Sequence, residues 1–217
     1  MKARLVSFTD PAPGIRHFVF ELPERIDFKA GQFASLVANV NGKEITRAYS
    51  LAAAPRGDNR FEICLNRVEG GLFSPHLFDL PIGGEVECKG ILGTFGWREP
   101  VTAPLLVATG TGIVPFRAML RTAPMKPVLI YGARFEESLL WRDELASQSE
   151  LILTLTRPPA EWNGRTGRVQ QIVEEKLATG AIGQVYICGL KEMVDSVRAL
   201  CKEKGLDRRQ LVYEKYD

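Results

Sequence analysis

Arg47-Ala48-Tyr49-Ser50 sets a cation, an aromatic plane and a hydroxyl along one extended stretch. Arg47 and Tyr49 fall on one face of such a strand, Ala48 and Ser50 on the other. A guanidinium meets phosphate as a rigid fork, a phenol ring can lie on a planar heterocycle, and a hydroxyl can reach a ring nitrogen. Further on, Thr109-Gly110-Thr111-Gly112-Ile113-Val114-Pro115 follows an apolar run and opens a helix, with Pro115 expected at its first position. Small residues there let a diphosphate approach bare backbone, and a helix start favours negative charge. Pro115 takes the third small position of the Gly-x-Gly-x-x-Gly pattern, so the turn is not that fingerprint. Together, in this order, the two stretches point to electron transfer between a nicotinamide and a flavin.

Other residues extend both patterns. Gly70-Gly71-Leu72-Phe73-Ser74-Pro75 places Ser74 at an expected N-cap and Pro75 at the first helical position, so Arg47 and this loop could clamp one pyrophosphate. Arg134, Arg157 and Arg168 each follow an apolar run or precede a helix, where they could surround a 2′-phosphate. That set favours NADPH over NADH. Cys188-Gly189 closes the apolar run 185–187, at the carboxyl edge where α/β sheets bind ligands. Cys64 and Cys201 read as small buried hydrophobes.

The elements that must position these groups fall into two kinds. Residues 15–22, 33–40, 45–52, 61–68 and 85–92 read as short strands, with turns at Gly31, Asn41-Gly42, residues 56–59 and Gly83-Gly84. One short helix, 75–80, interrupts them, and the series suggests a small antiparallel barrel. Beyond residue 100 the compact apolar runs 105–108, 128–131, 151–155 and 185–187 alternate with helical patterns at 115–121, 136–146, 169–177 and 191–204. Strand alternating with helix implies a doubly wound α/β unit. Residues 211–217 read as a last strand and 96–104 as the linker. The expected organisation is residues 1–99 as one domain and 100–217 as the other.

Composition narrows the function classes. The chain has 217 residues, a formal charge of +2, 45% hydrophobic and 25% charged residues, so no global field marks a nucleic-acid or membrane-surface binder. No run approaches the ~20 apolar residues of a membrane span, and the N-terminus lacks the apolar core of a signal peptide. The 4 cysteines include no Cys-x-x-Cys pair, which argues against a zinc or iron–sulfur site and suits a reducing compartment, the cytoplasm.

The chain resembles the ferredoxin–NADP(+) reductase superfamily along essentially its whole length. The resemblance is carried by Ala30-Gly31-Gln32-Phe33, Arg47-Ala48-Tyr49-Ser50, Gly71-Leu72-Phe73-Ser74, Gly110-Thr111-Gly112-Ile113-Val114-Pro115, Cys188-Gly189 and Glu214-Lys215-Tyr216. It implies a six-stranded antiparallel Greek-key barrel binding FAD, then a doubly wound parallel sheet binding NAD(P). By that likeness Arg47 and Ser74 hold the FAD phosphates with Ala48, Gly71, Leu72 and Phe73 around them. Tyr49 stacks on the flavin, Ser50 bonds near N5, and Leu65, Asn66, Arg67 and Thr111 meet the ring edge. Gly110, Thr111, Gly112, Pro115, Arg134, Arg157, Arg168, Cys188, Gly189 and Met193 hold the nicotinamide nucleotide. Cys188 sits beside C4, Tyr216 covers the second flavin face, and Glu214 relays a proton. The implied acceptor is a ferredoxin, a flavodoxin or free flavin, with Arg16, Lys29, Arg67 and Lys89 as a possible basic patch. An oxygenase reductase component and an accessory electron-transfer subunit are the competing readings.

Overall fold

A computed structural model describes residues 1–180 and 182–216. Asp217, included in the expected last strand, lies outside the described residues. The first half is built from β1 (Lys2–Ala12), β2 (Ile15–Glu21), β3 (Phe33–Val40), β4 (Lys43–Ser50), β5 (Arg60–Asn66), α1 (Phe73–Phe78) and β6 (Glu85–Leu92). The strands form one antiparallel sheet in the order β4-β3-β6-β1-β2-β5. Its two edges meet, because Leu51 bridges Ile63 and Ala52 N–H donates to Glu62 C=O at 2.8 Å. That closure makes a barrel and removes the free edges. Phe18, Phe20, Leu36, Phe61, Ile63 and Leu77 fill it.

Several boundaries differ from expectation for identifiable reasons. The strand series begins at Lys2 rather than residue 15, since β1 pairs with both β2 and β6. Strand β4 starts at Lys43 because Asn41 and Gly42 both take positive φ (54° and 77°), the two-residue hairpin turn that lets pairing resume at once. Helix α1 starts at Phe73, so Ser74 is not its N-cap and Pro75 is not its first residue. Instead Ser74 Oγ accepts from Val68 N–H at 2.9 Å and clasps the preceding loop.

The second half contains β7 (Pro104–Thr109), α2 (Ile113–Leu120), β8 (Val128–Ala133), α3 (Arg142–Gln148), β9 (Glu150–Leu155), β10 (Arg165–Thr166), α4 (Val169–Ala178), β11 (Gln184–Leu190), α5 (Lys191–Glu203) and β12 (Leu211–Tyr216). All neighbours are parallel, in the order β10-β9-β8-β7-β11-β12. The apolar runs are buried on both faces. Leu106, Leu129 and Tyr186 face the cluster that holds α2 and Leu145 of α3, while Leu105, Ile130 and Val185 face α4 and α5. The helix expected over 136–146 is broken, because Trp141 adopts a left-handed φ of 52° and buried Leu139 and Leu140 precede it. Pro115 is the third residue of α2, since Gly110–Gly112 forms a 3₁₀ turn that runs directly into the helix. Its missing N–H still falls in the first turn, where no partner is required.

The linker is pinned rather than loose. Trp97 Nε1 donates to Met119 C=O at 3.0 Å, Tyr186 OH accepts from Arg98 N–H at 3.0 Å, and Gln184 Nε2 donates to Arg98 C=O at 3.0 Å. The two sheets also share apolar packing. Ala12, Ile15, Ala52, Cys64 and Phe95 join the cluster of α2, with the Phe95 and Phe116 rings 5.6 Å apart.

Candidate active site

The strand order reverses between β7 and β11, and ligands of open α/β sheets sit outside the carboxyl ends at such a point. Thr109 and the Gly110–Gly112 turn end β7, and Cys188 and Gly189 lie near the end of β11. The turn packs so closely that a Cβ on Gly112 would lie 2.2 Å from Cys188 C=O, whereas one on Gly110 would meet nothing within 4 Å. A Cβ on Gly189 would meet Thr109 Oγ1 at 2.6 Å and Met193 Cε at 2.7 Å. Thr109, Gly112, Cys188, Gly189 and Met193 therefore converge. Arg134 at the end of β8, Arg157 beyond β9 and Arg168, the N-cap of α4, line the same carboxyl edge. All three are exposed, and Arg157 N–H donates to Arg134 C=O at 2.9 Å. Among the described residues no carboxylate pairs with any of their guanidiniums.

A hydrogen-bonded junction joins the two halves. Tyr216 OH donates to Ser50 Oγ at 2.7 Å, and Ser50 Oγ donates to Glu214 Oε1 at 2.7 Å. Strand β12 pairs Glu214 with Cys188 in register. Burial drives the shifts here. It raises the Glu214 carboxyl from its ordinary value, with Ser50 pulling back, and it lifts Tyr216 well above the ordinary phenol. Burial, reinforced by the Glu214 charge, also keeps Cys188 a thiol, so it is unsuited to nucleophilic chemistry. The single Ser50 proton is committed to Glu214. Ser50 can donate to a flavin atom only by releasing that carboxylate.

Along the barrel edge, Tyr49 is half-buried and its ring is tilted 38° to Phe73 at 5.9 Å. Burial raises its phenol pKa, while the neighbouring Arg47 charge works the other way. Arg47, on β4, is exposed, with Nη1 donating to Thr46 C=O at 2.9 Å. Ala48 is exposed, Leu72 exposed, Leu65 and Phe73 buried, and Gly71 N–H donates to Val68 C=O at 3.0 Å. Asn66 Nδ2 donates to Thr111 Oγ1 at 3.4 Å, which joins the end of β5 to the nucleotide turn. Arg67 N–H is already taken by Gly14 C=O, and its side chain by Asp79. A cation, an aromatic plane and hydroxyls thus lie along one edge beside an open glycine turn, a donor set that fits FAD and a nicotinamide dinucleotide. Three of the expected basic residues are already paired with carboxylates. Arg16 and Arg67 meet on the Phe78 ring but pair with Asp10 and Asp79, while Lys89 pairs with Glu44.

One charged cluster escaped the sequence reading. Arg117 Nε donates to Glu144 Oε2 at 2.9 Å, its Nη1 to Ala52 C=O at 3.1 Å, and the guanidinium stacks 4.5 Å over Trp141. Glu62 accepts from His17 Nε2 at 2.9 Å and from Arg56, and lies 3.5 Å from Arg117. The signal was a lone charge in each apolar stretch: Arg117 within Val114-Pro115-Phe116-Arg117-Ala118-Met119, and Glu62 within Phe61-Glu62-Ile63. Such charges need partners when buried. Burial alone would raise Glu62, but His17, Arg56 and Arg117 outweigh it and hold the carboxyl at about 2, against 4.5 for an ordinary glutamate. Its folded pKa is depressed, so its stabilisation is complete above pH 4.5 and fades as pH falls towards 2. The amount is on the order of 3 kcal/mol. Glu62→Gln should therefore flatten the acid limb of a denaturant-stability profile between those limits; an unchanged limb would remove Glu62 as its source.

Two family models match the chain: an oxidoreductase FAD-binding domain over residues 2–97 and an oxidoreductase NAD-binding domain over residues 106–199. Ferredoxin–NADP reductase B of Sorangium cellulosum (strain So ce56) is 40% identical over 237 aligned positions, covering 100% of this chain and 97% of that protein. The chain belongs to the ferredoxin–NADP reductase family. It is an FAD-dependent oxidoreductase that transfers a hydride between NAD(P)H and flavin. A cytochrome P450 reductase from Amycolatopsis superposes with a TM-score of 0.88 at 28% identity, over 99% of this chain and 69% of that one. A ferredoxin NADP+ reductase from Neisseria gonorrhoeae, solved with FAD and NADP, superposes at 0.84 over 99% and 98%; at 24% identity it supports the fold alone. Among the described residues, no helix is long and apolar enough to cross a membrane.

Proposed function

We propose that this reductase draws its hydride preferentially from NADPH and delivers electrons to a small ferredoxin- or flavodoxin-type protein. The observation that carries the reading is the Tyr216–Ser50–Glu214 junction, which ties the strand bearing Arg47 and Tyr49 to the carboxyl edge bearing Cys188. In this reading residues 1–99 form the FAD-binding domain and 100–217 the NAD(P)-binding domain. FAD, when bound, supplies the hydride-accepting ring. The chain contributes alignment, exclusion of water and proton control.

Arg47, Ser74 and the backbone of residues 71–73 hold the diphosphate, Tyr49 carries the ring, and Leu65, Asn66, Arg67 and Thr111 border its edge. Glu214, whose carboxyl burial raises from its ordinary value, takes up a proton more readily than an exposed glutamate would. Cys188 shapes the pocket beside the nicotinamide, and Tyr216 must move before that ring can stack. Arg134, Arg157 and Arg168, which have no carboxylate partner among the described residues, support NADPH, because a 2′-phosphate would supply an opposite charge. Four buried, free cysteines suit a reducing compartment such as the cytoplasm.

Turnover with NADPH and NADH against ferredoxin, flavodoxin and free FMN tests the reading. Faster reduction of a protein acceptor by NADPH supports it; turnover with free FMN alone would make the enzyme a flavin reductase. Arg47→Ala should weaken FAD binding about tenfold, the loss of one exposed charge-assisted contact. Flavin retention after dialysis measures it.

A further inference from the structure

We propose that Arg117 is a positioning residue that sets the nucleotide turn at a fixed distance from the flavin-bearing strand ends. Helix α2 begins at the Gly110–Gly112 turn, so whatever fixes α2 fixes that turn. Arg117 reaches from α2 to the segment that follows β4 and to β5 at once. It donates to Ala52 C=O, just past Ser50 at the end of β4, and faces Glu62 on β5, the strand that ends at Asn66. Glu144 of α3 holds its Nε and also accepts from Arg121 at 2.6 and 2.9 Å, so the guanidinium is clamped from the far side. Trp141 supports its face. That residue keeps a left-handed backbone that side chains rarely adopt, which places the indole between Arg117 and His17.

Apolar residues of similar volume would join the two halves without the desolvation cost of these charges. What a guanidinium adds is direction, since its donors lie in one rigid plane and each is aimed at a named oxygen. The side chains of Arg117 and Glu62 are only 11% and 9% exposed, so water screens this contact little. The Asn66–Thr111 contact joins the end of β5 to the turn that leads into α2 and would shift with it.

The inference rests on hydride transfer from NADPH to flavin in the parent protein, which is measured first; failure there defeats the functional reading rather than this one. Misplacement by about 1 Å can cost about 100-fold in rate. Arg117→Met should slow bleaching of bound FAD by NADPH about 30-fold per flavin, with the half-saturating NADPH concentration moving less than about threefold. Arg117→Lys should recover part of the rate, because the charge remains but the fork does not. Reduction of the same samples by dithionite should stay at the parent rate. In the cofactor-free protein, amide exchange over residues 113–120 and 50–53 should quicken in step with the lost rate. Glu144→Gln provides a milder variant should Arg117→Met not fold, with an expected slowing of about fivefold. A hydride rate per bound flavin within twofold of the parent in Arg117→Lys and Glu144→Gln, whatever happens to melting temperature, would overturn the proposal.

Discussion

Gly112→Ala should weaken nucleotide binding at least tenfold and lower the melting temperature. A Cβ there would lie 2.2 Å from Cys188 C=O and 2.6 Å from its carbonyl carbon, and neither atom belongs to a flexible side chain. Gly112 has φ −60°, so alanine is conformationally acceptable and the cost is purely steric. Either the turn lifts away from β11 or the end of β11 moves, and both displace the convergence of Thr109, Gly112, Cys188 and Gly189. Overpacking of this kind costs about 1–3 kcal/mol. Gly110→Ala provides the contrast, since its positive φ of 54° costs about 1 kcal/mol of strain while its Cβ would meet open space. Calorimetric titration with NADP+ alongside thermal melts separates the two. Equal, small effects at both positions would mean that β11 does not set the shape of the turn.

The second large effect concerns nucleotide choice. Replacing Arg134, Arg157 and Arg168 together with alanine should reduce the NADPH/NADH ratio of kcat/KM about 100-fold. The three guanidiniums lie at successive positions along one sheet edge and have no carboxylate partner among the described residues. Each proposed contact to a 2′-phosphate would be charge-assisted, but exposure discounts it to about 1 kcal/mol, close to a factor of five. Three such factors multiply to the stated ratio. NADH turnover should change little, because its ribose offers no phosphate. A ratio that stays constant, with both substrates losing equally, would assign the arginines to the shared part of the dinucleotide.

The legible parts of this chain are those set by local pattern. The runs at 105–108, 128–131 and 185–187 announced a parallel sheet because they are apolar on both faces, and both faces are covered by helices. The β2 alternation of Phe18 and Phe20 against His17 and Val19 likewise follows from a barrel with one fully buried and one partly buried face. Ser74 misled because a serine ahead of a proline has the form of a cap, while the fold uses its oxygen to hold Val68. The expected helix over 136–146 failed because the tertiary burial of Leu139 and Leu140 overrode a favourable helical pattern. Contacts across the junction were beyond local pattern altogether. Ser50 meets Glu214 and Tyr216 across 164 and 166 positions. Arg117 could be noticed as a lone charge, but its partners Ala52, Glu62 and Glu144 come from three separate parts of the chain.

The visible spectrum of the purified protein, recorded anaerobically before and after one equivalent of NADPH, tests the account most directly. The barrel edge from Arg47 to Ser74 requires FAD absorption bands, and the Ser50–Glu214–Tyr216 junction requires that NADPH bleach them. Protein that takes up no FAD on reconstitution, or whose bands persist with both NADPH and NADH, would contradict it.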